Sequence, residues 1–182
     1  MKYYYFHGYG SSPSACKAEA MREILGAENV SAPDFNVSPE EASDLFDKLI
    51  EKISSSNEEV CIVGSSLGGL YALYVATKAN CKAVLLNPAL VPMVIVPKVT
   101  DEVPVSAVVI AQKLSLYTYE HYNKENISVW VTDDPLINHN ALTKPYFYKG
   151  VKEYIEFDTD TASGHEFIGF KNVFEKYIKN HK

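Results

Sequence analysis

The sequence predicts an α/β protein with a mostly parallel central sheet and helices on both of its faces. From residue 2 to residue 86, short apolar segments that suit strands alternate with longer segments that suit helices. This alternation is typical of strands joined by crossover helices, which run parallel and are covered on both sides. Ligands bind such sheets beyond the carboxyl ends of the strands, so functional residues are expected in the loops that follow them.

The first half of the chain is the more regular part. The predicted strands here are residues 2–6, 29–33, 59–63 and 82–86, and the third helix is residues 69–79. The first helix is predicted to start at Ser14 as N-cap and to end at Gly26, a residue suited to a helix C-terminus. The second helix has Ser38 as N-cap, Pro39 at its first position and Glu41 to complete a capping box.

The second half contains a segment, residues 88–126, that is predicted to be an insertion over the ligand-binding edge. Its prolines, Pro92, Pro97 and Pro104, are expected to interrupt any regular element. Two interpretations stay open: a lid or pocket, and a packed connection that completes the core. Strands are then predicted at 127–132 and 152–158, with a helix at 138–147 and a closing helix after residue 165. Residues 1–182 are expected to form a single domain.

Composition excludes several classes of partner. The net charge of −6 argues against nucleic acid or an anionic membrane, because both attract basic surfaces. No apolar run reaches the roughly 18 residues of a membrane span, and no signal peptide is visible, so a cytoplasmic protein is expected. The three cysteines, Cys16, Cys61 and Cys81, lack metal-binding spacing, and neither a metal nor an organic cofactor is expected.

The segment Gly64-Ser65-Ser66-Leu67-Gly68 has the G-x-S-x-G spacing of a nucleophile elbow. In that turn a strained serine lies between a strand and a helix that approach closely, so the positions two before and two after it must be small. The two glycines meet this requirement, and the spacing selects Ser66 over Ser65. The apolar strand before the turn and the alanine-rich helix after it favour the elbow over a chance match.

A serine nucleophile needs a base, a carboxylate that orients the base, and donors for the oxyanion. His165 is the candidate base because it lies between the last strand and the last helix. The remaining histidines are placed less favourably: His7, His121, His139 and His181. Asp133 and Asp134 follow a strand and precede His165, in the chain order Ser, Asp, His of hydrolases with this elbow. Either carboxylate is able to orient His165.

The oxyanion donors are expected to be backbone groups. One is the N–H of Leu67, the residue after the candidate nucleophile. The other is the N–H of Tyr9, in the loop after the first strand, where Gly8 allows the chain to turn toward Ser66. An ordinary strand-ending turn is the alternative interpretation of this loop.

Five ordered motifs carry a resemblance to a known family. They are His7-Gly8-Tyr9-Gly10-Ser11-Ser12-Pro13 with Lys17, Gly64-Ser65-Ser66-Leu67-Gly68-Gly69 with Tyr71, Asn87-Pro88-Ala89, Thr132-Asp133-Asp134-Pro135-Leu136-Ile137, and Gly164-His165-Glu166-Phe167-Ile168-Gly169-Phe170. Because it carries these five motifs in this order, the chain resembles the YqiA-like small bacterial esterases of the α/β-hydrolase superfamily. The resemblance implies an α/β-hydrolase fold with a small or absent lid.

The same resemblance implies that Ser66, Asp134 and His165 are nucleophile, acid and base. It favours Asp134 over Asp133, although Asp133 stands where the family has glycine. The expected function is hydrolysis of carboxylic esters or thioesters through an acyl-serine. Residues 91–126 align with nothing in the family, so its substrate specificity does not carry over, and it is the small lid region that favours short or medium acyl chains. The alternative is a non-catalytic hydrolase-fold protein that binds an acyl ligand or a protein partner, because fold alone does not establish function.

Overall fold

A computed structural model describes residues 1–36, 39–99 and 103–180. Its core is a six-stranded sheet in the order β2-β1-β3-β4-β5-β6, and neighbouring strands all run parallel. The strands are β1 (Lys2–Phe6), β2 (Val30–Ser31), β3 (Val60–Ser65), β4 (Lys82–Leu86), β5 (Ile127–Val131) and β6 (Glu153–Glu156). The predicted parallel α/β sheet is therefore confirmed.

Helices cover both faces of this sheet. They are α1 (Cys16–Leu25), α2 (Pro39–Ser54), α3 (Leu67–Ala79), α4 (Pro92–Val99), α5 (Val105–His121), α6 (Thr143–Tyr146) and α7 (Phe170–Asn180). None of the helices in the described part of the chain combines the length and the apolarity needed to cross a membrane.

The sheet separates two apolar cores, and the period-2 geometry of a strand explains how β1 serves both. Tyr4 and Phe6 point into one core, which α2, α3 and α5 complete. Tyr5 points into the other core, which α1 and α7 cover, and Trp130 of β5 is fully buried there. The cores fix the positions of the strand ends, and therefore of the loops that carry the site.

Several predicted boundaries are wrong. Helix α1 starts at Cys16 with Ala15 as its N-cap, because the Ser14 hydroxyl bonds to Ser12 Oγ at 3.1 Å instead of capping the helix. The second strand has two residues rather than five. The predicted helix at 138–147 is reduced to α6, because Asn138 Oδ1 accepts the N–H of Ala141 at 3.0 Å and forms a turn first. The predicted N-cap Ser38 lies outside the described residues.

Within residues 88–126 the prolines do not prevent regular structure. Pro92 opens α4, where the missing N–H has no intrahelical role, and Pro104 is the N-cap of α5. Pro97 lies inside α4, so the expectation that it interrupts the element is wrong. Helix α5 packs against α3, and its Ser115 hydroxyl donates to the Leu90 carbonyl at 2.5 Å. The interpretation of this segment as a lid stays a prediction.

Candidate active site

Ser66 occupies a strained turn between β3 and α3. Its φ of 55° and ψ of −121° are unusual for a residue with a side chain, and such strain typically costs about 1–3 kcal/mol. The surrounding backbone holds the turn in place. The Ser66 N–H donates to the Leu86 carbonyl at 3.0 Å, and the Ser66 carbonyl accepts the N–H groups of Gly69 at 2.9 Å and Ala89 at 3.0 Å.

The two glycines of the elbow lie at close backbone approaches. A Cβ on Gly64 would lie 2.6 Å from the Cβ of Ala72, and a Cβ on Gly68 would collide with the carbonyl oxygens of Phe6 and His7. Because β1, β3 and α3 meet this closely, the small-residue requirement in the sequence has a direct steric cause.

The structure brings Ser66, His165 and Asp134 together. Ser66 Oγ lies 2.9 Å from His165 Nε2, and His165 Nδ1 lies 2.8 Å from Asp134 Oδ2. Because a carboxylate only accepts hydrogen bonds, Nδ1 carries the proton and Nε2 is left to accept the Ser66 hydroxyl. The Asp133 side chain is exposed, and its backbone carbonyl accepts the N–H of Gly164 at 3.2 Å. It is therefore Asp134 whose carboxylate faces the histidine.

The Asp134 carboxylate is fully buried but well supplied with donors. Its Oδ1 accepts the N–H groups of Leu136 at 2.8 Å and Ile137 at 3.2 Å, and its Oδ2 lies beside His165 and, at 3.4 Å, His139. Burial alone would raise the pKa of Asp134, but the two histidines and the Leu136 N–H together hold it well below its usual range. The carboxylate is therefore ionised although its side chain is buried.

A buried amide network, which the sequence analysis did not assign, anchors the loop that carries His165. Asn87 Oδ1 accepts the N–H of Thr132 at 2.9 Å, while Asn87 Nδ2 donates to Thr132 Oγ1 at 2.9 Å and to the Gly164 carbonyl at 3.0 Å. The Thr132 hydroxyl donates to the same carbonyl at 2.8 Å. The ends of β4 and β5 are thus tied to the residue before His165. The signal in the sequence was Asn87 itself, a buried polar residue directly after an apolar strand.

The loop after β1 lies against the candidate nucleophile. The Cβ position of Gly8 is 3.3 Å from Ser66 Cβ, so Tyr9 follows at the edge of the site. Leu67 is the first residue of α3, and an N–H at that position has no acceptor within its own helix. The assignment of the Leu67 and Tyr9 N–H groups to an oxyanion hole stays a prediction.

The other described histidines contact neighbouring groups away from Ser66. His7 is buried; its Nε2 accepts the N–H of Phe35 at 3.0 Å, so Nδ1 carries the proton that is donated to the Gly8 carbonyl at 2.9 Å. His121 Nδ1 lies 2.8 Å from the Tyr117 carbonyl. His139 contacts Asp134 but not the serine, a position that the sequence analysis missed.

Among the described residues, the side chains that could bind a metal ion are those of histidine, cysteine, aspartate and glutamate. Within residues 1–36, 39–99 and 103–180, no group of three or more metal-binding side chains converges. Cys61 is buried in β3, and burial raises the pKa of its thiol to about 12, so little of the reactive thiolate forms at neutral pH. Burial also raises the pKa of Cys81 to about 11, whereas Cys16 is exposed.

A comparison with protein families identifies the chain. Residues 2–181 match the sequence model of the family described as Uncharacterised protein family (UPF0227), the YqiA family. The chain belongs to this family. The predicted resemblance is therefore confirmed, and the match extends over almost the whole chain rather than over the five motifs alone.

Several solved structures are similar to this chain in fold, although their sequence identity to it is low. Est1E from Butyrivibrio proteoclasticus has a TM-score of 0.73 and 13% identity, covering 98% of this chain and 85% of its own. The monoacylglycerol lipase of Paleococcus ferrophilus has a TM-score of 0.67 and 17% identity, covering 99% and 94%. The Pyrococcus furiosus esterase Pf2001 has a TM-score of 0.63 and 16% identity, covering 100% and 78%. The predicted α/β-hydrolase fold is thus confirmed.

Proposed function

We propose that the protein is a serine hydrolase that cleaves carboxylic esters or thioesters through an acyl-serine intermediate. The observation that carries this proposal is the continuous chain of contacts from Ser66 Oγ to His165 Nε2, at 2.9 Å, and from His165 Nδ1 to Asp134 Oδ2, at 2.8 Å. Serine is a weak nucleophile until a base within hydrogen-bond reach takes its proton. The names of the similar solved structures, an esterase and a lipase among them, support the same reaction class.

In the proposed reaction, Ser66 Oγ attacks the acyl carbonyl carbon while His165 Nε2 takes the hydroxyl proton. Asp134 stabilises the imidazolium that forms. When the tetrahedral intermediate collapses, the bond to the alcohol or thiol breaks, and His165 gives its proton to that leaving group. A water molecule then attacks the acyl-serine with His165 again as base, which releases the carboxylic acid and restores Ser66.

The N–H groups of Leu67 and Tyr9 are the proposed oxyanion donors. Removing one such donor typically costs about 3–4 kcal/mol of transition-state stabilisation, so this pair would matter as much as the triad. We also infer that short or medium acyl chains are preferred, because residues 88–126 are a small region for a lid. Small-molecule acyl esters or thioesters are the substrates on this proposal.

An assay of p-nitrophenyl esters and acyl thioesters, with acyl chains from two to about sixteen carbons, tests the proposal. The Ser66→Ala variant is expected to lose about 10⁵–10⁶-fold in kcat, since the serine and histidine of such a triad act as a unit. Hydrolysis that survives this substitution would refute the mechanism. The order of kcat/KM along the series decides the preferred chain length.

A fluorophosphonate probe supplies an independent readout. Wild-type protein is expected to be labelled on the peptide that contains Ser66, and Ser66→Ala is expected to remain unlabelled. Ser65→Ala is the matched control, since Ser65 is buried beside the Tyr5 hydroxyl and its loss should preserve labelling. A folded wild-type protein that takes up no probe would favour the alternative of a non-catalytic acyl-binding or protein-binding function.

A further inference from the structure

His139 presents an unusual arrangement next to Asp134. Its side chain is 92% buried, and its Nε2 lies 3.4 Å from Asp134 Oδ2 in a geometry that falls short of a hydrogen bond. In the described part of the chain, this Nε2 is the one buried side-chain nitrogen or oxygen without a hydrogen-bond partner. An unpaired buried polar atom is costly, so its presence beside a buried carboxylate calls for a reason.

The other ring nitrogen determines which tautomer is compatible with this position. His139 Nδ1 lies 2.7 Å from the hydroxyl of Thr143, which is itself buried. If Nδ1 carried the only proton, the lone pair of Nε2 would face the negative charge of Asp134. With the proton on Nε2, the N–H dipole points toward the carboxylate and Nδ1 accepts the Thr143 hydroxyl.

We propose that His139 is a positioning residue that shares the Asp134 carboxylate with His165 and limits how strongly that carboxylate holds the His165 imidazolium. The inference rests on the proposed function, in which His165 must release its proton to the leaving group as readily as it accepts one. Asp134 Oδ1 is already held by the N–H groups of Leu136 and Ile137. The two backbone N–H groups therefore fix the position of the carboxylate. The contribution of His139 is to offset part of the negative charge at Oδ2.

This role and a merely structural role predict opposite changes in the pKa of His165 when His139 is replaced. When the second N–H dipole is removed, the carboxylate charge acts on His165 alone, and the pKa of His165 rises. If His139 only kept Asp134 in place, its loss would loosen the Asp134–His165 pair and lower the pKa of His165. Other charged groups on adjoining loops, Asp133 and Glu166, are exposed, and the Glu166 carboxylate lies 4.0 Å from Lys17 Nζ.

The experiment compares three substitutions of His139. His139→Leu removes both nitrogens, His139→Gln places an amide N–H near the Nε2 position, and His139→Asn places one near Nδ1 only. We expect the His165 pKa to rise by about half a unit in the Leu and Asn variants and to return to the wild-type value in the Gln variant. On the acid side of the kcat/KM profile, this rise corresponds to about a threefold loss.

Histidine NMR titration measures the pKa of His165 without any turnover, so the inference is tested even if no substrate is hydrolysed. An active wild-type enzyme whose His165 pKa is the same in all three variants would overturn the inference and leave the proposed function intact. A fall of the pKa in the Leu variant, or equal values in the Gln and Asn variants, would also overturn it. If the Leu variant does not fold, Thr143→Val takes its place: it deprives Nδ1 of its donor and should shift the His165 pKa in the same direction.

Discussion

Replacing Asn87 by alanine should destabilise the protein strongly, although its side chain is hydrogen-bonded to neither Ser66 nor the Asp134 carboxylate. The substitution leaves the buried N–H of Thr132 without an acceptor, which costs about 1–3 kcal/mol. Asn87 also has a φ of 42°, a left-handed conformation that costs most residues about 1–2 kcal/mol but that asparagine tolerates. The two terms together predict a loss of about 2–5 kcal/mol of unfolding free energy.

Asn80 is the matched control for this prediction. Its φ of 50° is almost the same, but it is exposed at the C-terminus of α3, and its side-chain oxygen accepts hydrogen bonds from exposed Asn123 and half-buried Asn126. Asn80→Ala should therefore lose about 1–2 kcal/mol, chiefly the backbone term. Asn87→Gly, which removes the side chain but tolerates the backbone conformation, isolates the network term.

Urea denaturation followed by circular dichroism gives these differences directly. If Asn87→Ala and Asn80→Ala lose the same free energy, the network contributes nothing and the reasoning is refuted. A second readout follows from the bond to Gly164. Since that bond anchors the residue before His165, the folded fraction of Asn87→Gly should show reduced fluorophosphonate labelling, whereas the Asn80 variant should label like wild type.

Further predictions concern the acid, the elbow and the pH profile. Asp134→Asn should lower kcat by about 10⁴-fold, since an amide favours the wrong histidine tautomer. Asp133→Asn should keep nearly the wild-type kcat. The reverse ranking of the two variants in an ester assay would show that Asp133 is the acid. Gly68→Ala should cost about 3 kcal/mol in urea denaturation because its Cβ meets two carbonyl oxygens, whereas Gly150→Ala, with open space and a φ of 79°, should cost about 1–2 kcal/mol. Because the pKa of Asp134 is lowered on folding, its charge stabilises the protein above the unfolded value near pH 4, and this contribution is lost only as the pH falls below it. The acid limb of kcat/KM should therefore contain no second proton from Asp134, and a two-proton limb would contradict this.

The sequence was sufficient for the elements whose pattern is local. The elbow glycines, the apolar strand before them and the buried strand at 82–86 each follow from short-range spacing, and the structure agrees. The boundaries that failed depended on competition between a side chain and the backbone. Ser14 and Asn138 each have an alternative hydrogen bond nearby, and a propensity argument does not decide which bond forms.

The candidate site shows the same division. The chain order Ser66, Asp134, His165 was available from the sequence, and so was the placement of each residue after a strand. Spacing alone did not decide between the two adjacent aspartates, because that choice depends on which carboxylate the turn after β5 directs inward; only the family resemblance favoured Asp134. The position of His139 beside Asp134 could not be predicted either. A turn and the short helix α6 place it there, whereas the sequence suggested a longer helix.

The distance along the chain between the partners of the site has a consequence for how activity arises during folding. Ser66 and His165 are 99 residues apart, and β4, β5 and β6 with their connections lie between them along the chain. Contacts of such long sequence separation form late, because loop-closure entropy must be overcome first. A nascent or truncated chain would carry the serine without its base, so reactivity toward an acylating probe would mark molecules that have completed folding.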